Sequence, residues 1–222
     1  IFANCLDKNF EQIQIDFNNQ IYGFSLNERK ETAAIKFLKN SFSDLFGKVW
    51  IKTYFSDEIK KDVEKIIYEI LEEYKKEINS WNWMGAGSRY NLTEYLNQLK
   101  VFVGYYDFFD YSDYKISENL YDSVFKMLQY QNNLEEKKCF ETFDPNRWLM
   151  APYEYNAYNY GANNSINILA GFIYGNGYRL DMTIEEKYAA VGFAIAHEIS
   201  HIFSISTANG AIIQRLSMQD HN

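Results

Sequence analysis

The sequence predicts a mainly α fold of α+β type, with extensive helices and a short β edge. Three observations carry this. Residues Ser56 to Ile78 place Ile59, Val63, Ile66, Ile67, Ile70, Leu71, Tyr74 and Ile78 on one apolar stripe at helical spacing. Tyr153 to Tyr160 and Ile166 to Tyr174 alternate loosely and are rich in aromatic and β-branched residues, which reads as two short strands joined through Gly161-Ala-Asn-Asn. From about Ile184 to Phe203 the chain is apolar almost all round, the pattern of a helix buried on most faces.

Taken in order, Glu28 to Phe46 is a helical stretch, and the stripe at 56–78 follows it. Ser56, with Asp57 and Glu58 behind it, marks that helix's start, because acidic side chains favour the positive helix end. Ser88 to Leu99 turns Leu92, Leu96 and Leu99 inward, and Asn119 to Gln129 forms a further helix. The texture changes after about Cys139, where Pro145 and Pro152 punctuate a loop before the strands. This divides the chain into a helical segment, 1–138, and a second region, 139–222. Thr183-Ile-Glu-Glu186 is a capping-box pattern that opens the last helix.

Composition narrows the function. With 47% hydrophobic and 18% aromatic residues among 222, and only two prolines and eleven glycines, the chain can bury a substantial core. A net charge of −8 and five scattered arginines argue against a phosphate-binding surface, so no nucleic-acid partner is expected. Cys5 and Cys139 are too few for a disulfide scaffold; they can pair with each other, pair elsewhere or stay free. The sequons at Asn91 and Asn163 are weak signs of secretion in an Asn-rich chain. The apolar run Tyr188 to Ala196 falls far short of the roughly 18 residues that span a bilayer, so no membrane contact is expected from this chain itself. The start at Ile1, without methionine, leads to the expectation of a piece of a longer product.

The chemistry concentrates in residues 194–203, AIAHEISHIF, which hold two of the three histidines. His197 and His201 lie four apart, so both imidazoles leave one helix face about a turn from each other. That separation suits two ligands of one tetrahedral Zn²⁺. Glu198, rotated by about 100°, reaches a zinc-bound water without becoming a ligand, and can take its proton and return it to a leaving amine. Two histidines and a glutamate in an apolar helix are costly unless they have partners. Strands just before the helix are suited to holding a peptide by strand addition. The metzincin extension is excluded, because Ser204 and Thr207 stand where it needs Gly and His. Residues 204–222 contain no Glu, leaving Asp220 and His221 as the remaining candidates for a third ligand there.

Trp148-Leu-Met-Ala-Pro152, Asn156-Ala-Tyr158, Leu169-Ala-Gly-Phe-Ile173 and Tyr188-Ala-Ala-Val-Gly192 precede His197-Glu-Ile-Ser-His201. In order and spacing, without a gap from Trp148 to Phe203, these blocks resemble the neprilysin and endothelin-converting-enzyme family of zinc metallopeptidases. The family pattern runs Trp, Pro, VNAYY, a PAGIL-like strand and YGGxGxxxxHEITH. Upstream, Trp83-Met84, Arg89 and Lys100-Val-Phe-Val-Gly-Tyr105 are similar to a further family block. The resemblance implies a fragment of a thermolysin-like gluzincin catalytic domain beginning within 139–222, one zinc ion, short peptide substrates, and a mostly helical second domain that closes the cleft. It carries the zinc ligands onto His197 and His201, the catalytic glutamate onto Glu198, and the pair that binds the substrate main chain onto Asn156 and Ala157. It further implies an extracellular or membrane-anchored setting, and the rest of the same peptidase as a partner.

The chain departs from the pattern at several points. Leu169 replaces a Pro, and Ala189 and Ala190 replace two glycines, which favours helix. Ser204 and Ile205 replace an Asp pair whose carboxylates would support the ligands. The ENxAD motif that supplies the family's third ligand is absent from these 222 residues, as are its downstream His and Arg. Two functional expectations follow: a zinc metalloendopeptidase working through a zinc-bound water with Glu198 as general base, or an inactive peptidase-like scaffold that binds peptides or protein partners. An unrelated helical protein with a chance HExxH would lack a strand edge beside the histidines.

Overall fold

A computed structural model describes residues 6–23, 30–108, 114–140, 144 and 146–203. Cys5, Pro145, Ser204, Ile205, Thr207, Asp220 and His221 lie outside the described residues, as does the Cys139 side chain. The chain forms two compact units: residues 1–46 with 108–144, and residues 47–107 with 145–222.

The first unit is helical. α1 (Lys8–Tyr22) is capped by Asp7, whose side chain accepts from the Asn9 and Phe10 amides, and ends at Gly23 with a left-handed φ of 71°. α2 (Lys30–Ser41) contacts α6 (Leu120–Phe140). In α6, Asn119 Oδ1 caps the Tyr121 and Asp122 amides, and Val124 and Met127 are buried. The helix expected over 28–46 is broken at Phe42, beyond which α3 (Ser43–Tyr54) begins.

The second unit is built on α4 (Asp57–Ser80). Ser56 caps it by accepting from the Ile59 amide at 3.3 Å. Val63, Ile66, Ile67, Leu71 and Ile78 are buried, so the stripe read from the sequence is the core face. α5 (Ala86–Asn97) packs on α4 through Leu92 and Leu96. A three-stranded sheet completes the unit, with β1 (Lys100–Gly104), β2 (Ala157–Tyr160) and β3 (Ser165–Leu169) in the order β1-β3-β2. β3 is buried along its whole length and pairs parallel to β1 and antiparallel to β2. This leaves β2 as an edge strand. β1 closes on Gly104, which has φ 84° and lies so near Phe55 that a Cβ would sit 2.6 Å from its Cε1.

The strand expected over 166–174 ends at Leu169, and Ala170–Gly175 forms a short helix, α7. A main-chain contact decides this. The Gly171 N–H donates to the Pro152 carbonyl at 2.8 Å, and a Cβ on Gly171 would lie 2.4 Å from the Tyr153 carbonyl group. Only glycine permits that approach, and it turns the chain off the sheet.

The segment after α7 leads to α8 (Ile184–Lys187), a π-helical turn (Tyr188–Gly192), α9 (Phe193–Ser200) and a 3₁₀ turn (His201–Phe203). The helix expected over 184–203 is thus helical throughout, but changes form through a π turn and tightens to 3₁₀ at its end. Polar groups of α4 hold this run in register. Tyr178 Oη and Lys187 Nζ both donate to Asp62 Oδ2, at 2.8 and 2.7 Å. Tyr188 Oη donates to Glu69 at 2.8 Å, and Tyr74 Oη to the Ala196 carbonyl at 3.0 Å. Burial alone pushes the Asp62 carboxyl up, but the hydrogen bonds from Lys187 and Tyr178 outweigh it and hold the carboxyl below its ordinary value.

Replacing Gly171 with Ala should lower the urea midpoint of the second unit, because backbone must move to admit the Cβ. Tyr178→Phe should cost about 1–3 kcal/mol in the same assay, since it removes one donor from a partly buried carboxylate. A folded-state pKa below the unfolded value near 3.9 stabilises above that value and is lost as pH falls through the folded one. The destabilisation of wild type between pH 5 and pH 2 should therefore be smaller in Asp62→Asn, measured by denaturant titration at each pH.

Candidate active site

The approach to α9 is set by Thr183, whose Oγ1 accepts from the Glu186 amide at 3.3 Å while Glu186 Oε2 accepts from the Thr183 amide at 2.8 Å. Ala189 and Ala190 remain helical, but in the π-helical turn, a form enriched at functional sites. Beyond it, Val191, Ile195, Ile199 and Ile202 are buried at three- and four-residue spacing. This stripe turns the remaining face of the helix toward the outside. His197 is exposed and His201 is partly exposed, with ring centroids 4.7 Å apart and edge to face.

Glu198 behaves differently from both histidines. It is 8% exposed, and its Oε2 lies 3.9 Å from His201 Nε2. One donor atom from each of His197, Glu198 and His201 falls within 4.8 Å of the others. Burial pushes the Glu198 carboxyl above its ordinary value, opposed by His201, His197 and a hydrogen bond from the Asn159 main chain. A buried carboxyl with a raised pKa beside two imidazoles is suited to proton transfer.

β2 runs next to α9. Asn156 immediately precedes the strand and is exposed. Its Oδ1 accepts from the Ala157 amide at 2.9 Å and its Nδ2 faces Met150 Sδ at 3.2 Å. Tyr158 Oη accepts from the Leu149 amide at 2.9 Å, tying the loop after Trp148 to the strand. All five residues singled out from the sequence thus fall on α9, its 3₁₀ turn and the neighbouring strand edge. Sequence reasoning missed Asn159, whose Nδ2 donates to the Glu198 carbonyl at 3.2 Å. Its signal was a departure, Asn at the last letter of the VNAYY pattern. Phe193 was read only as part of the buried helix, yet it is 82% exposed one turn before His197.

An open groove of about 1190 Å³ runs along α4 from Lys61 to Trp81 and reaches Tyr188 and Ala196, but none of His197, Glu198 or His201 lines it. The chemistry and this groove are therefore separate, and the clustering of donors is the better guide to the site.

Two histidines and a carboxylate close together beside an edge strand form a donor set that could hold a metal ion. The sequence model of peptidase family M13 matches residues 1–106. Membrane metallo-endopeptidase-like 1 of Mus musculus is 23% identical over 215 residues, covering 92% of this chain and 28% of that protein. Neutral endopeptidase of Lactobacillus helveticus is 26% identical over 210 residues, covering 93% and 32%. Human neprilysin is 21% identical over 217 residues, covering 93% and 29%. In fold, the chain is similar to the open state of the zinc metalloprotease Zmp1 of Mycobacterium tuberculosis, with TM-score 0.87, 23% identity, and 99% of this chain and 35% of that one covered. It is also similar to PepO of Lactobacillus rhamnosis, with TM-score 0.79, 23% identity, and coverage of 99% and 36%. The model of peptidase family M13 thus covers just under half of the chain, and the similarity to neprilysin-type peptidases runs over most of it. The chain spans about a third of the length of the curated relatives it matches.

With two imidazoles and one carboxylate in the described cluster, the 222-residue chain alone should hold zinc weakly. After zinc loading and dialysis, elemental analysis should find well under one zinc per chain. Tight stoichiometric zinc would mean that these 222 residues supply a third ligand.

Proposed function

We propose that this chain carries part of the active site of a zinc metalloendopeptidase that hydrolyses short peptides. The observation that carries the proposal is the buried Glu198 flanked by two histidines, with donor atoms within 4.8 Å of one another. The donor set fits zinc: imidazoles at i and i+4 suit this borderline-soft ion, and His201 Nε2 lies 3.9 Å from the Glu198 carboxylate. His197 and His201 would hold the ion. When bound, zinc supplies a Lewis acid that acidifies water and polarises a carbonyl.

The remaining roles belong to the protein. Glu198 takes the proton of the attacking water and returns it to the leaving amine, and burial keeps its carboxyl poised for that exchange. Ala157, at the start of the edge strand, and Asn156 beside it hold the substrate main chain. An edge strand offers N–H and C=O groups to any extended peptide, and an Asn amide offers one donor group and one acceptor. Residues 139–222 are read as the start of the catalytic domain and 1–138 as a helical segment. The partners are a short peptide and the remainder of the same peptidase. Among the described residues no helix is long and apolar enough to cross a membrane; the setting proposed from the relatives is extracellular or a membrane-anchored ectodomain.

A second reading has its own support. Ser204 and Ile205 stand where the family pattern has an Asp pair, and the described cluster holds two imidazoles only. On that reading the chain is an inactive scaffold that binds peptides or proteins. Glu198→Gln separates the two. In the longer peptidase, the variant should lose cleavage of a fluorogenic short peptide by several orders of magnitude while elemental analysis finds its zinc unchanged. A wild type that carries zinc and cuts no peptide would favour the scaffold, and zinc loss in the variant would make Glu198 a ligand.

A further inference from the structure

We propose that Asn159 is a positioning residue that ties the turn of α9 carrying Glu198 to the edge strand and so holds the proton-transfer carboxylate in place. This rests on the reading of Glu198 as the proton carrier.

The argument begins with strand register. β2 pairs antiparallel with β3, with Ala157 opposite Ile168, Tyr158 opposite Asn167, and Asn159 opposite Ile166. The Leu169 N–H donates to the Asn156 carbonyl at 3.4 Å. Hydrogen-bonded pairs alternate along an antiparallel ladder, so the bonded positions are 156/169 and 158/167. The main-chain groups of Ala157 and Asn159 therefore point away from β3, toward the free edge. Ala157 meets its need locally, since its N–H donates to Asn156 Oδ1. Asn159 lies against α9, which runs next to β2.

The side chain makes the tie. Asn159 Nδ2 donates to the Glu198 main-chain carbonyl at 3.2 Å. That carbonyl lies in the last turn of α9, where the helix tightens to 3₁₀ at His201–Phe203 and carbonyls begin to lack partners within the helix. One residue of the strand thus holds the backbone of the helix turn that carries the carboxylate, and catalytic groups must be held to within about half an ångström.

A kinetic experiment tests it. In the longer zinc-loaded peptidase, Asn159→Leu keeps the side-chain shape without the donor. It should lower kcat by about 10- to 100-fold, the range for residues that orient a metal site from behind, with KM and zinc content unchanged. Asn159→Gln, which keeps a donor one methylene further out, should recover part of kcat. A kcat equal to wild type in Asn159→Leu, or a loss that follows zinc content and melting temperature and that Gln does not rescue, would overturn the proposal. Glu198→Gln run alongside keeps the two readings apart. If that control still cleaves, the reading of Glu198 fails; if it is dead while Asn159→Leu is fully active, only the positioning role fails.

Discussion

The candidate site depends on the grip of α4 on the run that contains α9. Apolar burial of Val191, Ile195, Ile199 and Ile202 drives that run onto the core, but the hydrophobic effect is non-directional and does not by itself choose a register. Rotating α9 by one residue, about 100°, would carry a histidine toward the interior. Directional bonds prevent this. Asp62 takes Tyr178 and Lys187, Glu69 takes Tyr188, and Tyr74 reaches Ala196. The first of these is the most buried, with Tyr178 at 5% exposure. Lys187 and Asp62 keep only 14% and 25% of their side-chain surface, where an ion pair is less screened than on the open surface. One face of α4 therefore supplies the core, and its polar flank supplies the alignment.

What was legible in the sequence is what is local. The α4 stripe declares itself by period, and its cap by Ser56. The histidine pair declares itself because both ligands lie on one helix, four residues apart. The failures are contacts between residues far apart in the chain. Lys100–Gly104 pairs with Ser165–Leu169, and nothing near residue 100 announces a parallel partner so distant. Ala170–Gly175 has the aromatic and β-branched content of a strand, and becomes a helix because Gly171 meets Pro152 and Tyr153. The π-helical turn at Tyr188–Gly192 is equally hidden, since Ala189 and Ala190 favour any helical backbone. Tyr188, the first residue of the turn, is tied to Glu69 on another helix.

The site shows the same division. Asn156 and Ala157 came from the resemblance to a family pattern, because alone an Asn before a strand reads as a turn residue. Asn159 escaped both routes. Periodicity assigns it to an edge strand, and the family pattern places a different side chain there. Its partner is 39 positions away in sequence. A residue that departs from a family pattern beside a catalytic group is worth reading for what it contacts, not only for what it has lost.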